Sequence, residues 1–279
     1  MGHRITLHEA GNELGGQFRM ARTVPGKEDF GETIRYFATM LHEAEVDVRL
    51  GAPIVDAGQL TDNDAVVLAT GVLPRTPDLP GIESPGVLDY RRAFSDPAAI
   101  GRRVVIIGAG GIAVDLAHLL LDNATKGVGA RGASFRAEWG LDRQPVQAQP
   151  WRSVTLMRRT GKIGAGIGLT TRWVAVGALR HRGARMITGV NYRAITDTGV
   201  LVATERGHEF IEADTVILAA GQERNDGLLR ALTSLDIPHR VIGGAADTAG
   251  LNAVRATSQG LEAAHDLARE LHGRTNTRT

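Results

Sequence analysis

The 279-residue chain contains no cysteine, which excludes disulfides, a dithiol redox pair and thiolate-held iron–sulfur clusters within it. Charge of one sign is also missing: 32 Lys and Arg stand against 31 Asp and Glu, a net charge of +1. That balance carries no footprint for nucleic acid or for a membrane surface. No apolar run approaches the ~18 residues needed to span a bilayer, and the N-terminus has no signal-type apolar core. A cytoplasmic protein is therefore expected. The nine histidines are scattered without HExxH or similar spacing, so no metal site is read from them. Any electrons handled by this chain must move through a bound organic cofactor.

Glycine is abundant. Its 35 residues cluster at the ends of short β-branched runs, where a linker would spread them. Apolar runs at 5–7, 46–50, 65–69, 104–107, 154–157, 185–187, 200–203, 215–219 and 241–242 read as strands. Helical periodicity fills 27–44, 111–121, 171–182 and 254–272. Strands separated by helices argue for an α/β fold of parallel, doubly wound sheets, and the length allows two ordinary domains. Residues 122–151, rich in Gly, Ala, Gln and Pro, break the rhythm and read as a long insertion or loop.

The strongest local motif is VVIIGAGGIAVDLAHLL at 104–120, an apolar strand entering Gly108-x-Gly110-x-x-Ala113 and leaving on a helix that opens at Gly111. Gly108 suits a tight turn, Gly110 lets the backbone approach a pyrophosphate, and Ala113 lets helix and strand pack closely. The helix N-terminus offers unpaired N–H groups to phosphate. At the end of the next strand an acid would accept the ribose hydroxyl of NAD, whereas cations would pair with the extra phosphate of NADP. Arg158, Arg159 and Lys162 follow that strand and no acid does, which favours NADP(H). They lie further downstream than the usual ~20 residues, a departure the insertion accounts for.

A second constellation is VVLATG at 66–71, ending in Ala69, Thr70 and Gly71 and followed by Arg75 and several prolines that stiffen a crossover. Ahead of a nucleotide motif, it suggests a flavoprotein whose NADP domain is inserted in its FAD domain. VILAAG at 216–221, with Ala220 and Gly221, then returns the chain to the FAD domain. VIGG at 241–244, with Gly243, Gly244 and Asp247, closes it near the flavin, Asp247 also being readable as an ordinary helix-capping acid. The opening stretch, MGHRITLHEAGNELGGQF, reads as a strand running into an acidic residue and a glycine pair, the second half of a dinucleotide-binding βαβ unit.

The strings ELGGQF…PGKEDFGETIRYF at 13–37, LATGVLPRTPDLPGI at 68–82, VVIIGAGGIAVD at 104–115, EWG at 138–140, GIGLTTRW at 166–173 and AAGQERN at 219–225 occur in this order. Across residues 2–270 the chain resembles the C-terminal FAD/NADPH half of the bacterial 2,4-dienoyl-CoA reductase group, within the old-yellow-enzyme and trimethylamine-dehydrogenase-like flavoproteins. The resemblance implies that Glu9 is the ribose-binding carboxylate and that Gly15, Gly16 and Gln17 form a flavin-proximal segment. It also implies a relay in which NADPH reduces FAD, and electrons continue through an iron–sulfur cluster to FMN in a barrel. A separate FMN/iron–sulfur barrel subunit is then a candidate partner. Two positions depart from the family pattern: Arg172 stands at a usual glycine, and Ala246 at an expected acid, with Asp247 one place late.

Two Rossmann-like dinucleotide-binding domains are thus expected: an FAD domain over 1–85 and 216–279, truncated so that it lacks its first strand, and an NAD(P) domain over 86–215. In a doubly wound sheet that first strand is central and hydrogen-bonded on both sides, so its loss exposes two strand edges and removes a phosphate-binding helix N-terminus. NADP binding should therefore survive better than FAD binding. The first functional reading is an FAD-dependent module passing hydride from NADPH to FAD, with no catalytic side chain of its own. The alternative is a non-catalytic NADP-binding fragment or subunit. A thiol–disulfide reductase of similar build is set aside for want of a cysteine pair.

Overall fold

The computed structural model describes residues 2–122 and 151–276, with side chains to Gly273; residues 123–150, including Glu138–Gly140 of the EWG string and most of the expected insertion, lie outside it. In chain order the first strands and helices are β1 (Thr6–His8), α1 (Phe18–Ala21), α2 (Phe30–Glu43), β2 (Asp47–Arg49), β3 (Val66–Leu68), β4 (Val72–Pro74), β5 (Val87–Asp89) and α3 (Tyr90–Ser95). The middle of the chain forms β6 (Arg103–Ile107), α4 (Gly111–Leu121), β7 (Ser153–Arg158), α5 (Leu169–His181), β8 (Arg185–Thr188), β9 (Asn191–Thr196), β10 (Gly199–Thr204), β11 (Gly207–Glu212) and β12 (Thr215–Leu218). It ends with β13 (Gln222–Arg224), α6 (Leu229–Ser234), β14 (His239–Val241) and α7 (Ala253–Asn276). Two compact units result: Met1–Arg19, Asp29–Leu73 and Gln222–Thr279 form one, and Met20–Glu28 with Pro74–Gly221 the other.

The second unit is built on a five-stranded parallel sheet of order β5-β12-β6-β7-β8. Its middle strand β6 is apolar on both faces. Val104 and Ile106 join a core with α3, α4 and α5, while Val105 and Ile107 join a second core with Met157, Val200, Val202 and Ile211. A strand covered on both sides has no use for polar alternation, which is why its apolar run is continuous.

The second cover is an antiparallel meander, β9-β10-β11, an addition to the parallel, doubly wound sheets expected from strands that alternate with helices. Residues 197–198 and 205–206 are two-residue connections. A parallel crossover needs about a dozen residues, so loops this short force the strands to run antiparallel. A correction concerns VILAAG: β12 does not return the chain to the first unit but pairs between β5 and β6. All four residues of β12 are buried, as a strand inside a covered parallel sheet requires.

The first unit holds parallel pairing in two separate ribbons, β1-β2 and β3-β14, with β4 paired to β13. Among the described residues no strand joins β1 to β3, so each ribbon keeps unpaired edges. Its apolar cluster is small: Ala57, Leu60, Leu232 and Ile237, with Val66, Leu228 and Ala231 against them. On α2 only Ile34 is buried, and Tyr36, Phe37 and Met40 remain exposed.

Candidate functional site

In the second unit the site forms at the carboxyl ends of the parallel strands, where open α/β sheets place their ligands. The turn after β6 is dictated by geometry: Gly108 has φ +124°, and a Cβ there would stand 2.1 Å from the Ala219 carbonyl oxygen. Only glycine fits so close to the backbone that leaves β12. The Gly108 N–H donates to the Met157 carbonyl at 2.9 Å, which fixes the turn to β7. Gly110 is the N-cap of α4 without any side-chain cap, and a Cβ there would meet nothing nearer than the Ala165 carbonyl oxygen at 3.9 Å. The first N–H groups of α4, from Gly111 on, are therefore left to an anion. Ala113 is fully buried against the sheet, in its expected packing role.

Ala220 and Gly221 belong to this cradle. Arg75 reaches across to them: its Nε donates to the Ala220 carbonyl at 3.0 Å, a second guanidinium N–H shares that acceptor, and its backbone N–H donates to the Gly221 carbonyl at 3.1 Å. Within this unit Arg75, Ala220 and Gly221, which the sequence places beside the flavin, hold the strand end that backs the Gly108 turn.

Three cations stand at the end of β7 and in the loop after it, but they are not equivalent. The Arg158 guanidinium is turned into its own loop, where it donates to the carbonyls of Thr160 and of Lys162, the latter at 3.1 Å. Arg159 and Lys162 are exposed, and among the described residues their side chains make no hydrogen bond or ion pair. The loop itself is pinned to the glycine turn by the Gly164 N–H, which donates to the Ala109 carbonyl at 2.7 Å. Sequence reasoning missed Tyr192 on β9. Its hydroxyl is enclosed without a hydrogen-bond partner among the described residues. Burial pushes the phenol above its ordinary pKa, opposed by the charges of Arg159 and Arg158 and by the Gly108 backbone. Tyr192 thus lies close to both loops. On the far side of α4 the His118 Nε2 contacts the Ala175 carbonyl of α5 at 3.0 Å, and burial lowers its pKa, so a neutral ring donates that bond.

In the first unit the expected flavin residues also follow parallel strands. Glu9 follows β1 and accepts the Gly11 N–H on Oε1 at 2.7 Å, which leaves Oε2 open among the described residues. Gly15 has φ +119°, and a Cβ there would stand 2.6 Å from Ile34 Cδ1, so the loop lies directly on α2; Gly16 has φ +50° and Gln17 is exposed. Ala69, Thr70 and Gly71 follow β3, while Gly243 and Gly244 follow β14. These two turns meet, because a Cβ on Gly244 would stand 2.5 Å from Val72 Cγ1 and 3.1 Å from the Gly71 carbonyl carbon. Asn225, which sequence reasoning did not single out, locks the Thr70 turn. Its Nδ2 donates to the Thr70 carbonyl at 3.2 Å, its N–H donates to the Gly71 carbonyl at 3.1 Å, and its own carbonyl accepts the Thr70 hydroxyl. Asp247 is exposed and accepts the Ala249 N–H on Oδ1 at 2.9 Å, a turn-capping bond.

Comparison with known proteins agrees with this architecture. A family model described as pyridine nucleotide-disulphide oxidoreductase matches residues 1–250. The chain is 28% identical over 240 residues to a metal reductase of Desulforamulus reducens, covering 83% of this chain and 36% of that one. It is 26% identical over 267 residues to a bilirubin reductase of Mediterraneibacter gnavus, covering 95% and 37%. The chain therefore spans little more than a third of the length of these curated relatives. Among solved structures, a 2-naphthoyl-CoA reductase complex matches with a TM-score of 0.75 at 24% identity, over 91% of this chain and 34% of that one. Thioredoxin reductase of T. acidophilum matches with a TM-score of 0.64 at 17% identity, over 96% and 91%. At these identities the structural matches establish a shared fold. With nearly all of its length accounted for by the family model, the chain belongs to the pyridine nucleotide-disulphide oxidoreductases, a family that typically binds FAD and NAD(P)H.

Proposed function

We propose that this chain is an electron-input module that takes NADPH as reductant and FAD as acceptor, similar in role to the reductase half of 2,4-dienoyl-CoA-reductase-like flavoenzymes. The observation that carries the reading is the Gly108 turn, closed by the Ala219 backbone beside an uncapped α4 N-terminus and followed across the sheet by cations with no acid. Those groups fit a dinucleotide: Gly110 leaves its methyl position empty for a pyrophosphate, the α4 N–H groups meet its charge, and free cations after β7 suit a 2′-phosphate. When both cofactors are bound, hydride passes from nicotinamide to flavin, a reaction supplied by the cofactors themselves. The chain binds and orients. Glu9 Oε2 is available to accept a ribose hydroxyl, and the Thr70–Gly71 and Gly243–Gly244 turns offer backbone close to a flavin dinucleotide. No cysteine is present to pass electrons on to a disulfide, so the onward acceptor is a second bound group or a partner such as an FMN/iron–sulfur barrel.

A second reading, an NADP-binding unit without turnover, is favoured by the split of the first unit into two parallel ribbons with unpaired edges. The two readings separate on one preparation. The purified chain is supplied with FAD, desalted and scanned for flavin absorbance, then assayed for NADPH-dependent dye reduction. Retained flavin with dye reduction supports the module; NADPH binding without either supports the second reading.

A further inference from the structure

Beside the loop that follows β7, the second unit opens a groove of about 440 Å³, lined by Gly161, Lys162, Arg172, Trp173, Arg180 and Thr188 among others. That is within the ~300–1,000 Å³ of small-molecule sites. Lys162, on the loop after β7, and Thr188, the last residue of β8, place it at the carboxyl ends of two parallel strands. Three cations and no carboxylate line it, and none of the three charged groups has a hydrogen bond or ion pair among the described residues. Like charges gathered without an acid repel each other, and an anion relieves that repulsion.

Arg172, Val176 and Arg180 form one ridge of α5 at four-residue spacing. Arg180 lies in the last turn, where the helix dipole favours a cation without any ligand. Arg172 lies in the first turn, where the dipole disfavours one, so helix stability does not account for it. Its stem runs over Gly164, whose absent Cβ would stand 3.0 Å from Arg172 Cγ and 3.4 Å from Cδ. Gly164 is the residue bonded to Ala109 of the glycine turn. Arg172 is therefore held by the same loop that braces the dinucleotide turn, whereas Arg158 is occupied with its own loop carbonyls. Trp173, 68% exposed, adds an aromatic face of the kind a purine stacks on.

We infer that this groove takes the phosphorylated adenosine end of NADP(H), and that Arg172 with Lys162, in place of Arg158, discriminates NADP(H) from NAD(H). The inference rests on the dinucleotide-binding reading above. Its test is calorimetric titration of the full chain with NADP⁺, NAD⁺, adenosine 2′-phosphate and adenosine 5′-phosphate. The variants are Arg172→Met, which keeps the stem over Gly164 and removes the charge, Arg172→Lys and Arg158→Met. Arg172→Met should weaken NADP⁺ and adenosine 2′-phosphate about tenfold or more, as loss of a charged hydrogen-bond donor to phosphate does, with NAD⁺ changed less than about twofold. Arg172→Lys should restore part of the loss, and Arg158→Met should lower both dinucleotides alike. An unchanged NADP⁺-to-NAD⁺ ratio in Arg172→Met, or equal binding of the two by the unmutated chain, overturns this inference alone. Failure to bind either dinucleotide overturns the underlying reading with it.

Discussion

Replacing Gly108 and Gly110 separately by alanine should split the glycine motif into two physically different jobs. At Gly108 the new methyl would lie 2.1 Å from the Ala219 carbonyl oxygen and 2.5 Å from its carbon, on backbone that cannot rotate away, and φ is +124°. The backbone conformation alone costs ~1–3 kcal/mol for a residue with a Cβ, and forcing the overpacked contact adds ~1–3 kcal/mol. Together these are on the order of 2–6 kcal/mol, a large part of the ~5–15 kcal/mol that holds a typical domain folded. At ~2–4 °C per kcal/mol for a unit of this size, the midpoint of thermal unfolding should fall by at least about 4 °C. At Gly110, by contrast, φ is −79° and the nearest atom to a Cβ is 3.9 Å away, so stability should change by no more than ~0.5 kcal/mol. The methyl would instead occupy the approach path of a pyrophosphate, and dinucleotide affinity should drop about tenfold or more, ~1.4 kcal/mol. Circular-dichroism melting and calorimetric NADP⁺ titration on both variants read the two effects. Equal melting losses, or a Gly110→Ala chain that binds as tightly as its parent, would refute the division of labour.

Two further expectations concern other parts of the molecule. His118 has its pKa lowered chiefly by burial, so in acid the unfolded chain takes up a proton that the folded chain refuses. Stability is then lost as pH falls from about 6.5, the ordinary histidine value, toward the depressed folded value. Melting midpoints between pH 7.5 and 5 should decline more steeply than in His118→Gln, and parallel slopes would show that this ring does not contribute. In the first unit, Gly244→Ala would drive a methyl to within 2.5 Å of Val72 Cγ1 and 3.1 Å of the Gly71 carbonyl carbon. It should therefore destabilise the turn pair by about 1–3 kcal/mol, whereas Gly243→Ala meets no atom within 4 Å and is opposed only by its φ of +61°. Limited proteolysis of that region, faster in Gly244→Ala than in Gly243→Ala, is the check.

Much of the second unit was legible along the chain because its information is local. The run at 104–107 and the helix at 111–121 fall where periodicity puts them, and Gly108 has the close contact that its motif implies. The strand at 215–218 was legible as a strand but not as a member of its sheet. VILAAG and VVLATG look alike in sequence, yet hydrogen bonding to β5 and β6 separates them. The cations at the end of β7 show the same limit. Composition places Arg158, Arg159 and Lys162 together, but it cannot show that one guanidinium is tied to Thr160 and Lys162. The four-residue spacing of Arg172, Val176 and Arg180 was a readable signal for a cationic ridge; which loop it would meet was not.

The sequence by itself determined the α/β class, the glycine turn, the cations at the end of β7 and the exclusion of cysteine chemistry. Each of these depends on residues close together in the chain or on simple counting. Tertiary structure decided which strands pair, that Ala220, Gly221 and Arg75 brace the Gly108 turn, and that parallel pairing in the first unit splits into two ribbons. Those outcomes depend on backbone hydrogen bonds and on which Cβ positions are filled by distant atoms, and neither quantity is written in any single stretch of residues.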